Sequence, residues 1–192
     1  MLFLIWSGIN PKDQFTWILE VIPAVVGALV LLFTYRKFKL TTLVYSLILI
    51  HCIILMIGGH YTYAEVPLFD YFKDLFHFTR NNYDKVGHFA QGFVPALILR
   101  EIILRKNIIS TRGWQNFFIV SFCVAFSAFY EMIEWWVAVA TGDNAAAFLG
   151  TQGYLWDTQS DMAFALIGAI TALLVLSKLH DRQLVKFMAV RV

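Results

Sequence analysis

The sequence predicts an all-α, polytopic membrane helix bundle with five spans, as its composition, its long apolar stretches and its loop charges all indicate. Of the 192 residues, 59% are hydrophobic and only 15% are charged, and the mean hydropathy is +0.67. A soluble domain has about 25% charged residues, so the composition excludes a soluble globule, a disordered chain and a nucleic-acid-binding protein. We expect a single transmembrane domain over residues 1–192, with the lipid bilayer as its partner.

Five apolar stretches are long enough to cross the hydrocarbon core as helices, which takes about 20 residues. The apolar run Met1–Trp6 is too short to span. It is either a short segment before the first span or the end of a sixth, truncated span, and the two alternatives place the N-terminus on opposite sides. The predicted spans are Phe15–Tyr35, Leu40–Ile57, Val86–Leu104, Trp114–Ala140 and Asp161–Leu179.

The loops between the predicted spans alternate in charge. Lys and Arg are retained on the cytoplasmic side of a membrane, so the strongly basic loops should face the cytoplasm. We therefore expect a cytoplasmic C-terminus. The inner set is Arg36, Lys37, Lys39, Arg105, Lys106, Arg112, Lys178, Arg182, Lys186 and Arg191, and the acids of the outer loops are Glu65, Asp70, Asp74, Asp84, Asp143 and Asp157.

The segment Pro67–Phe78 has its apolar side chains in one helical stripe, with Asp70, Lys73 and Asp74 opposite. It is too short to span a membrane. Two alternatives remain open. The helix either lies in the outer membrane interface or packs across the mouth of the bundle.

Ionisable residues collect near the predicted outer ends of spans three, four and five. Charged groups within a span are costly and usually mark a site or a polar cavity. A helix rise of about 1.5 Å per residue puts these residues at a similar depth, just below the outer surface. Three pairs share a helix face through their i,i+3 or i,i+4 spacing: Asp84 with His88, Glu131 with Glu134, and Asp157 with Asp161.

Five carboxylates this close together cannot all stay ionised without compensation, and three solutions are open. A divalent metal cation would bind to oxygen and imidazole ligands, Arg80, Lys85 or His88 would pair with the acids, or protons would be shared by an acid–base pair. In a purely structural alternative, Asp84 and Asp157 are helix N-caps. The predicted metal ligands are Asp84, His88, Glu131, Asp157 and Asp161, and the predicted catalytic residues are His88, Glu131, Glu134 and Asp161.

Six further residues are candidates for substrate binding at the same level. His60 and Tyr61 follow Gly58-Gly59, which would allow a sharp turn and a close backbone approach. Arg80 would bind a phosphate or a carboxylate through two parallel hydrogen bonds. A plain turn or a local ion pair is the alternative for most of them. The candidates are His60, Tyr61, Arg80, Gln91, Gln152 and Gln159.

Four long motifs carry a family resemblance: GGHYTYAEVP (58–67), RNNYDKVGHFAQGFVPA (80–96), SAFYEMIEWW (127–136) and FLGTQGYLWDTQSDM (148–162). They closely resemble the YjdF-type inner-membrane proteins of bacteria over nearly the whole chain. The resemblance implies a location in the inner membrane but no particular activity. The N-terminus is short for this family, which favours the truncated sixth span.

A more distant pattern is similar to the VanZ-like membrane proteins, some of which are linked to glycopeptide-antibiotic resistance. The shared pattern is a DK-x-x-H opening one helix, a Glu at the end of the next and a D-x-x-x-D opening the last. Glu134 is not part of it. Here the matching residues are Asp84, Lys85, His88, Glu131, Asp157 and Asp161.

Three functions are compatible with these patterns. The first is an enzyme of the outer leaflet that acts on a lipid, a lipid-linked phosphate or an envelope precursor through a cation and a general base. The second is a non-catalytic scaffold or binding protein. The third, a proton-coupled transporter, is disfavoured because the inner halves of the spans lack matching ionisable groups beyond Arg100 and the Glu101–Arg105 pair.

Overall fold

The computed structural model of the protein describes residues 2–142 and 146–189, and every regular element in these ranges is a helix. Five of these described helices are long and apolar enough to cross a membrane, which confirms the predicted all-α bundle. Two charges used above, Asp143 and Arg191, lie outside the described residues. The helices are α1 (Leu2–Ser7), α2 (Gln14–Thr34), α3 (Thr42–Tyr61), α4 (Pro67–Phe76), α5 (Tyr83–Lys106), α6 (Arg112–Thr141), α7 (Ala146–Leu149) and α8 (Asp157–Ala189).

Four of the predicted spans match their helices to within a few residues, but the fifth differs. The apolar run ends near Leu179, whereas α8 continues to Ala189. The added turns are amphipathic, since Leu184 is buried while the neighbouring Val185 is exposed. Gln183 also accepts a hydrogen bond from the backbone N–H of Leu43 at the start of α3. The apolar run predicts the membrane-spanning part of α8, and the contacts of Leu184 and Gln183 stabilise the helix beyond it.

The short helix α1 has six residues and does not span the membrane. It packs on the end of α3, where the Trp6 and His60 rings lie 4.7 Å apart. The indole of Trp17 donates a hydrogen bond to Ser7 Oγ over 3.1 Å. The described part of the N-terminus is therefore held against α2 and α3.

Helix α4 forms where the apolar stripe predicts it, with Pro67 in its first turn. None of its residues is buried, and large apolar side chains such as Leu68, Leu75 and Phe76 stay exposed. It is anchored to the bundle by Phe69, whose ring lies 5.2 Å from that of Tyr83. This exposure is typical of a helix in a lipid interface and unlike one packed across the bundle mouth.

Helix α5 is the centre of the bundle: 61% of its most apolar stretch is buried, against 22% for each of the other four spans. It packs closely along α8, where a Cβ added to Gly92 would meet the carbonyl of Ala165 and one added to Gly168 would meet that of Phe89. Small residues allow this approach of two membrane helices. Enclosure by protein is also what lets α5 carry so many polar side chains.

The bundle has two chemically distinct ends. We call the end where α5 and α8 begin and α6 finishes the carboxylate end, after Asp84, Glu131 and Asp157. The opposite end, with Arg36 and Arg105, is the basic end. The carboxylate end and the basic end are separated by about the length of α5, which has 24 residues.

A second buried ionic network lies at the basic end. Glu101 is fully buried and accepts hydrogen bonds from the backbone N–H of Thr41 over 3.0 Å and from Arg105 over 2.7 Å. His180 lies with Nε2 3.1 Å from Glu101 and Nδ1 3.0 Å from Arg100. His180 follows Leu179, where the predicted fifth span ends, so the sequence did not indicate that its side chain is buried.

Candidate functional site

The carboxylate end gathers the predicted ionisable residues in one buried group. Most of them lie in the first two turns of α5, the second half of α6 and the first turns of α8, and α2 adds Glu20. The i,i+4 and i,i+3 spacings turn each pair toward the bundle interior. The buried ionisable residues here are Glu20, Arg80, Asp84, Lys85, His88, Glu131, Glu134, Asp157 and Asp161.

One half of the group consists of aspartates paired with two cations. Lys85 Nζ lies 2.5 Å from Asp161 Oδ1, 2.7 Å from Asp157 Oδ1 and 3.2 Å from Asp84 Oδ2. Arg80 donates to Asp157 over 2.5 Å and to Asp84 over 3.3 Å. Ion pairing, one of the three solutions open from the sequence, thus accounts for these three aspartates. We call them and the two cations the ion-paired half.

The N-cap alternative does not describe these aspartates. The residue at the N-cap of α5 is Asn82, whose side chain makes no capping hydrogen bond, and the N–H of Tyr83 donates to Asn81 Oδ1 over 3.1 Å. Asp84 and Asp157 accept from the cations instead.

His88 lies between this half and the glutamates of α6. Its Nε2 is 3.2 Å from Asp84 Oδ1 and 3.8 Å from Asp161 Oδ1. Its Nδ1 is 3.1 Å from Gln91 Oε1 and 3.7 Å from Glu131 Oε1. The ring is therefore held with Nε2 toward the aspartates and Nδ1 toward α6.

Three glutamates form the other half, which lacks Lys and Arg partners among the described residues. Glu131 Oε1 is buried with no hydrogen-bond partner. Glu134 is also buried, and Glu20 accepts a hydrogen bond from the Tyr130 hydroxyl over 3.2 Å. We call Glu20, Glu131 and Glu134 the glutamate half. With six buried carboxylates against two permanent cations, the site needs further positive charge, supplied by protons or by a cation.

Two sets of side chains have donor atoms close enough to share a metal ion, all within 4.8 Å of one another. One set is Asp84, His88 and Asp161, and the other is His88, Glu131 and Glu134. In the first set Lys85 already occupies the space between the aspartates. The second set has no cation, so its electrostatics favour a metal ion more.

A cavity of about 280 Å³ opens from the glutamate half and runs between α2, α3, α5 and α6 toward the basic end. Its walls near the site are polar and include Glu20, Asp84, His88, Gln91 and Glu134. Its walls farther along are mostly apolar. The site is thus the polar head of a largely hydrophobic cavity inside the membrane part of the protein.

The structure brings only part of the predicted substrate-binding set to this cavity. Gln91 lines it, whereas Arg80 belongs to the ion-paired half and lines a second cavity of about 610 Å³ on the other side of that half. Gln152 pairs with the backbone of Asn81, accepting from its N–H and donating to its carbonyl, both over 2.9 Å. Gln159 is exposed.

His60 and Tyr61 face α1 rather than the cavity. His60 Nδ1 is 3.0 Å from the carbonyl oxygen of Ser7, and the Tyr61 ring packs edge-on against the His60 ring. The glycines before them lie inside α3. The turn comes later, at Thr62 and Tyr63, where φ is 58° and 55°.

Tyr63 is a site residue that the sequence did not single out. Its ring occupies the space that a side chain at Gly58 or Gly87 would fill, and it lines the cavity beside Glu20. Burial raises the pKa of the Tyr63 phenol well above its ordinary value, and the nearby Glu20 adds to this. The sequence predicts a close backbone approach at Gly58-Gly59, and the structure shows that the group lying against Gly58 and Gly87 is the Tyr63 ring.

Comparison with known proteins places the chain among membrane proteins. Residues 1–182 match the family described as "Predicted membrane protein (DUF2238)". The inner membrane protein YjdF of Escherichia coli (strain K12) is 49% identical over 186 residues, which cover 97% of this chain and 89% of that protein. No solved structure matches the chain.

Proposed function

Since the chain belongs to the DUF2238 family of predicted membrane proteins, we propose that it is an enzyme acting on the polar group of a lipid or lipid-linked envelope precursor. The observation that carries this proposal is the cavity, which has buried carboxylates and an imidazole at one end and apolar walls along the rest. An amphipathic molecule matches that distribution. In the proposal the carboxylate end faces the periplasm, because the basic end would be retained in the cytoplasm.

The proposal includes a divalent cation bound by His88, Glu131 and Glu134. Three observations support it: the donor atoms lie within 4.8 Å of one another, Glu131 Oε1 is buried without a hydrogen-bond partner, and the site holds more acids than cations. Carboxylate oxygens with one imidazole suit Mn²⁺, Fe²⁺ or Zn²⁺, and carboxylates alone suit Mg²⁺ or Ca²⁺.

In the proposal, the ion-paired half lies on one side of this ligand set and positions it. Asp84 holds His88 by its Nε2, the arrangement in which a carboxylate orients a metal-bound histidine. In the proposal, Nδ1 gives up its contact with Gln91 and binds the cation beside Glu131. Lys85 in turn holds Asp84 and Asp161. The aspartates predicted as ligands would then orient the site. The cation would polarise an oxygen of the substrate, and a carboxylate free of it would accept a proton.

The test is metal binding by the full chain in nanodiscs, with Mn²⁺ as the probe and its electron paramagnetic resonance signal as the readout. We expect one tight Mn²⁺ per chain, at least tenfold weaker binding in Glu131→Gln and Glu134→Gln, and no change in the control Glu65→Gln. Glu65 is a suitable control because it is exposed and pairs with Lys12, away from the site. Equal Mn²⁺ binding by all four proteins, or none by the wild type, would contradict the proposal.

A scaffold or binding protein is the second candidate, and the ion-paired half supports it. Arg80, Lys85 and three aspartates tie the chain before α5, α5 itself and α8 together. If the protein binds no Mn²⁺ and Glu131→Gln and Glu134→Gln unfold like the wild type, this reading is favoured.

A proton-coupled transporter has less support. At the basic end, the carboxylate of Glu101 accepts from Thr41, Arg105 and His180, which all belong to that end of the bundle. Between the two ends, the described cavity wall is apolar apart from His51 and Cys52. Proton uptake driven by a pH gradient in proteoliposomes is the measurement that would favour transport.

A further inference from the structure

We infer that the cavity binds a single hydrocarbon chain of a lipid, with the lipid's polar group at the carboxylate end and the chain running toward the basic end. This inference deepens the proposed function, on which it rests for the role of the polar site. It names the substrate class as a molecule with at least one long, flexible apolar chain, and it assigns a role to residues far from the ionisable groups.

The cavity wall changes from polar to apolar along the bundle. In the half nearer the basic end, the wall is formed by branched aliphatic side chains of three different helices and the linker before α3. Such a surface gains free energy by covering hydrocarbon and offers almost no hydrogen bonds. His51 and Cys52 are the exceptions in the described wall of this half. The aliphatic wall residues are Val30, Leu31, Leu40, Ile48 and Ile98.

The length of the cavity fits a chain from one leaflet. On α5 the wall runs from Asp84 to Ile98, about 21 Å at a rise of about 1.5 Å per residue. The hydrocarbon core of a bilayer is about 30 Å thick, so one leaflet takes about half of it. A lipid with its polar group beside Asp84 can therefore lay one chain fully inside the cavity.

The absence of a side chain at Gly27 keeps the middle of the cavity open. Gly27 lies in the middle of α2, where glycine is the least favourable residue after proline, and it lines the cavity. A Cβ built on Gly27 meets no atom within 4 Å. Its missing side chain therefore does not serve close helix packing, as at Gly92, but leaves the cavity open halfway along. Ala24, one turn earlier on the same wall, is also small.

The experiment uses the full chain in nanodiscs of phosphatidylethanolamine in which one acyl chain carries a diazirine halfway along. After illumination, labelled residues are mapped by mass spectrometry. The wild type should be labelled on the wall residues Leu31, Leu40, Ile48 and Ile98, whereas Val30 is exposed and does not discriminate. Gly27→Phe should lose at least nine-tenths of that labelling, because its ring fills the cavity, whereas labelling of the exposed Phe118 and Phe122 should not change.

Gly113→Phe is the matched control, because a Cβ there also meets nothing within 4 Å but Gly113 does not line the cavity. It should be labelled like the wild type. Ile48→Trp, which fills the cavity from α3, is the second variant and should repeat the loss if Gly27→Phe does not fold. Labelling confined to exposed residues in the wild type, or unchanged wall labelling in both filled variants, would overturn the inference.

The outcomes separate this inference from the proposed function. Gly27→Phe lies remote from His88, so it should still bind Mn²⁺ while losing the chain label. Glu134→Gln should show the reverse. Wall labelling that depends on Gly27 in a protein that binds no Mn²⁺ would support the lipid chain and contradict the metal-dependent enzyme.

Discussion

Lys85 Nζ lies 2.5 Å from Asp161 Oδ1, so the start of α5 and the start of α8 are joined by a buried ion pair. The same ammonium contacts Asp84 and Asp157. One lysine thereby compensates carboxylates from two helices. Its removal leaves like charges close together in a medium of low dielectric constant, which is much more costly than losing an exposed pair.

Lys85→Met should therefore destabilise the protein by about 3–5 kcal/mol, the usual cost of removing one partner of a buried pair. The free energy of unfolding, measured by denaturant titration in detergent micelles, checks this. Lys12→Met is the control, since Lys12 and Glu65 form an exposed pair. In the double variant with Asp161→Asn, part of the loss should return. Similar stability of Lys85→Met and wild type would show that the aspartates are neutral or otherwise compensated.

Gly92→Val should disrupt the packing of α5 on α8. The added Cβ would meet the Ala165 carbonyl, which belongs to a helix backbone and cannot move aside alone. Overpacking of this kind costs about 1–3 kcal/mol or more. Gly113→Val makes the same chemical change where a Cβ has open space. A lower midpoint of thermal unfolding for Gly92→Val alone is the expected result, and equal midpoints would mean that the two helices separate easily.

Glu101→Gln should destabilise the basic end without affecting Mn²⁺ binding at the other end. Glutamine keeps an acceptor for Thr41 but no charge for Arg105 and His180, so the expected loss is about 3–5 kcal/mol by the same buried-pair argument. Thermal unfolding and the Mn²⁺ titration together check this. Weakened Mn²⁺ binding in a folded Glu101→Gln protein would instead indicate that the two ionic networks are coupled.

Tyr63→Phe should make the protein less sensitive to alkaline pH. Burial raises the pKa of Tyr63 in the folded state, whereas an unfolded tyrosine titrates at about 10. Its contribution to stability is fully present below that pH and is lost as the pH rises toward the folded-state value, because only the unfolded chain then releases the proton. The unfolding midpoint between about pH 9 and 12 should fall more steeply for the wild type than for the variant. If the midpoints of the wild type and of Tyr63→Phe fall in parallel with pH, the folded state does not raise the pKa of the Tyr63 phenol.

The i,i+3 and i,i+4 spacings were sufficient to predict the main members of the site. They indicated that Asp84, His88, Glu131 and Asp161 share a level and a side of their helices, and the structure brings these four together. Spacing could not indicate that Glu20 joins them, because a lone acid in a span has no second residue to define its face. Spacing also could not show which carboxylates belong to the ion-paired half and which to the glutamate half, because this depends on which helices the Lys85 side chain contacts.

The sequence by itself determined that this protein is an all-α membrane bundle, which stretches form its five spans, and that one cluster of ionisable residues lies at the carboxylate end. These properties follow from hydropathy and helical period, which are local along the chain. Only the tertiary structure decided that Lys85 meets Asp161, that His60 turns to α1, and that a cavity passes Gly27. Those depend on how each helix is rotated and how closely it packs against its neighbours, which no single segment specifies.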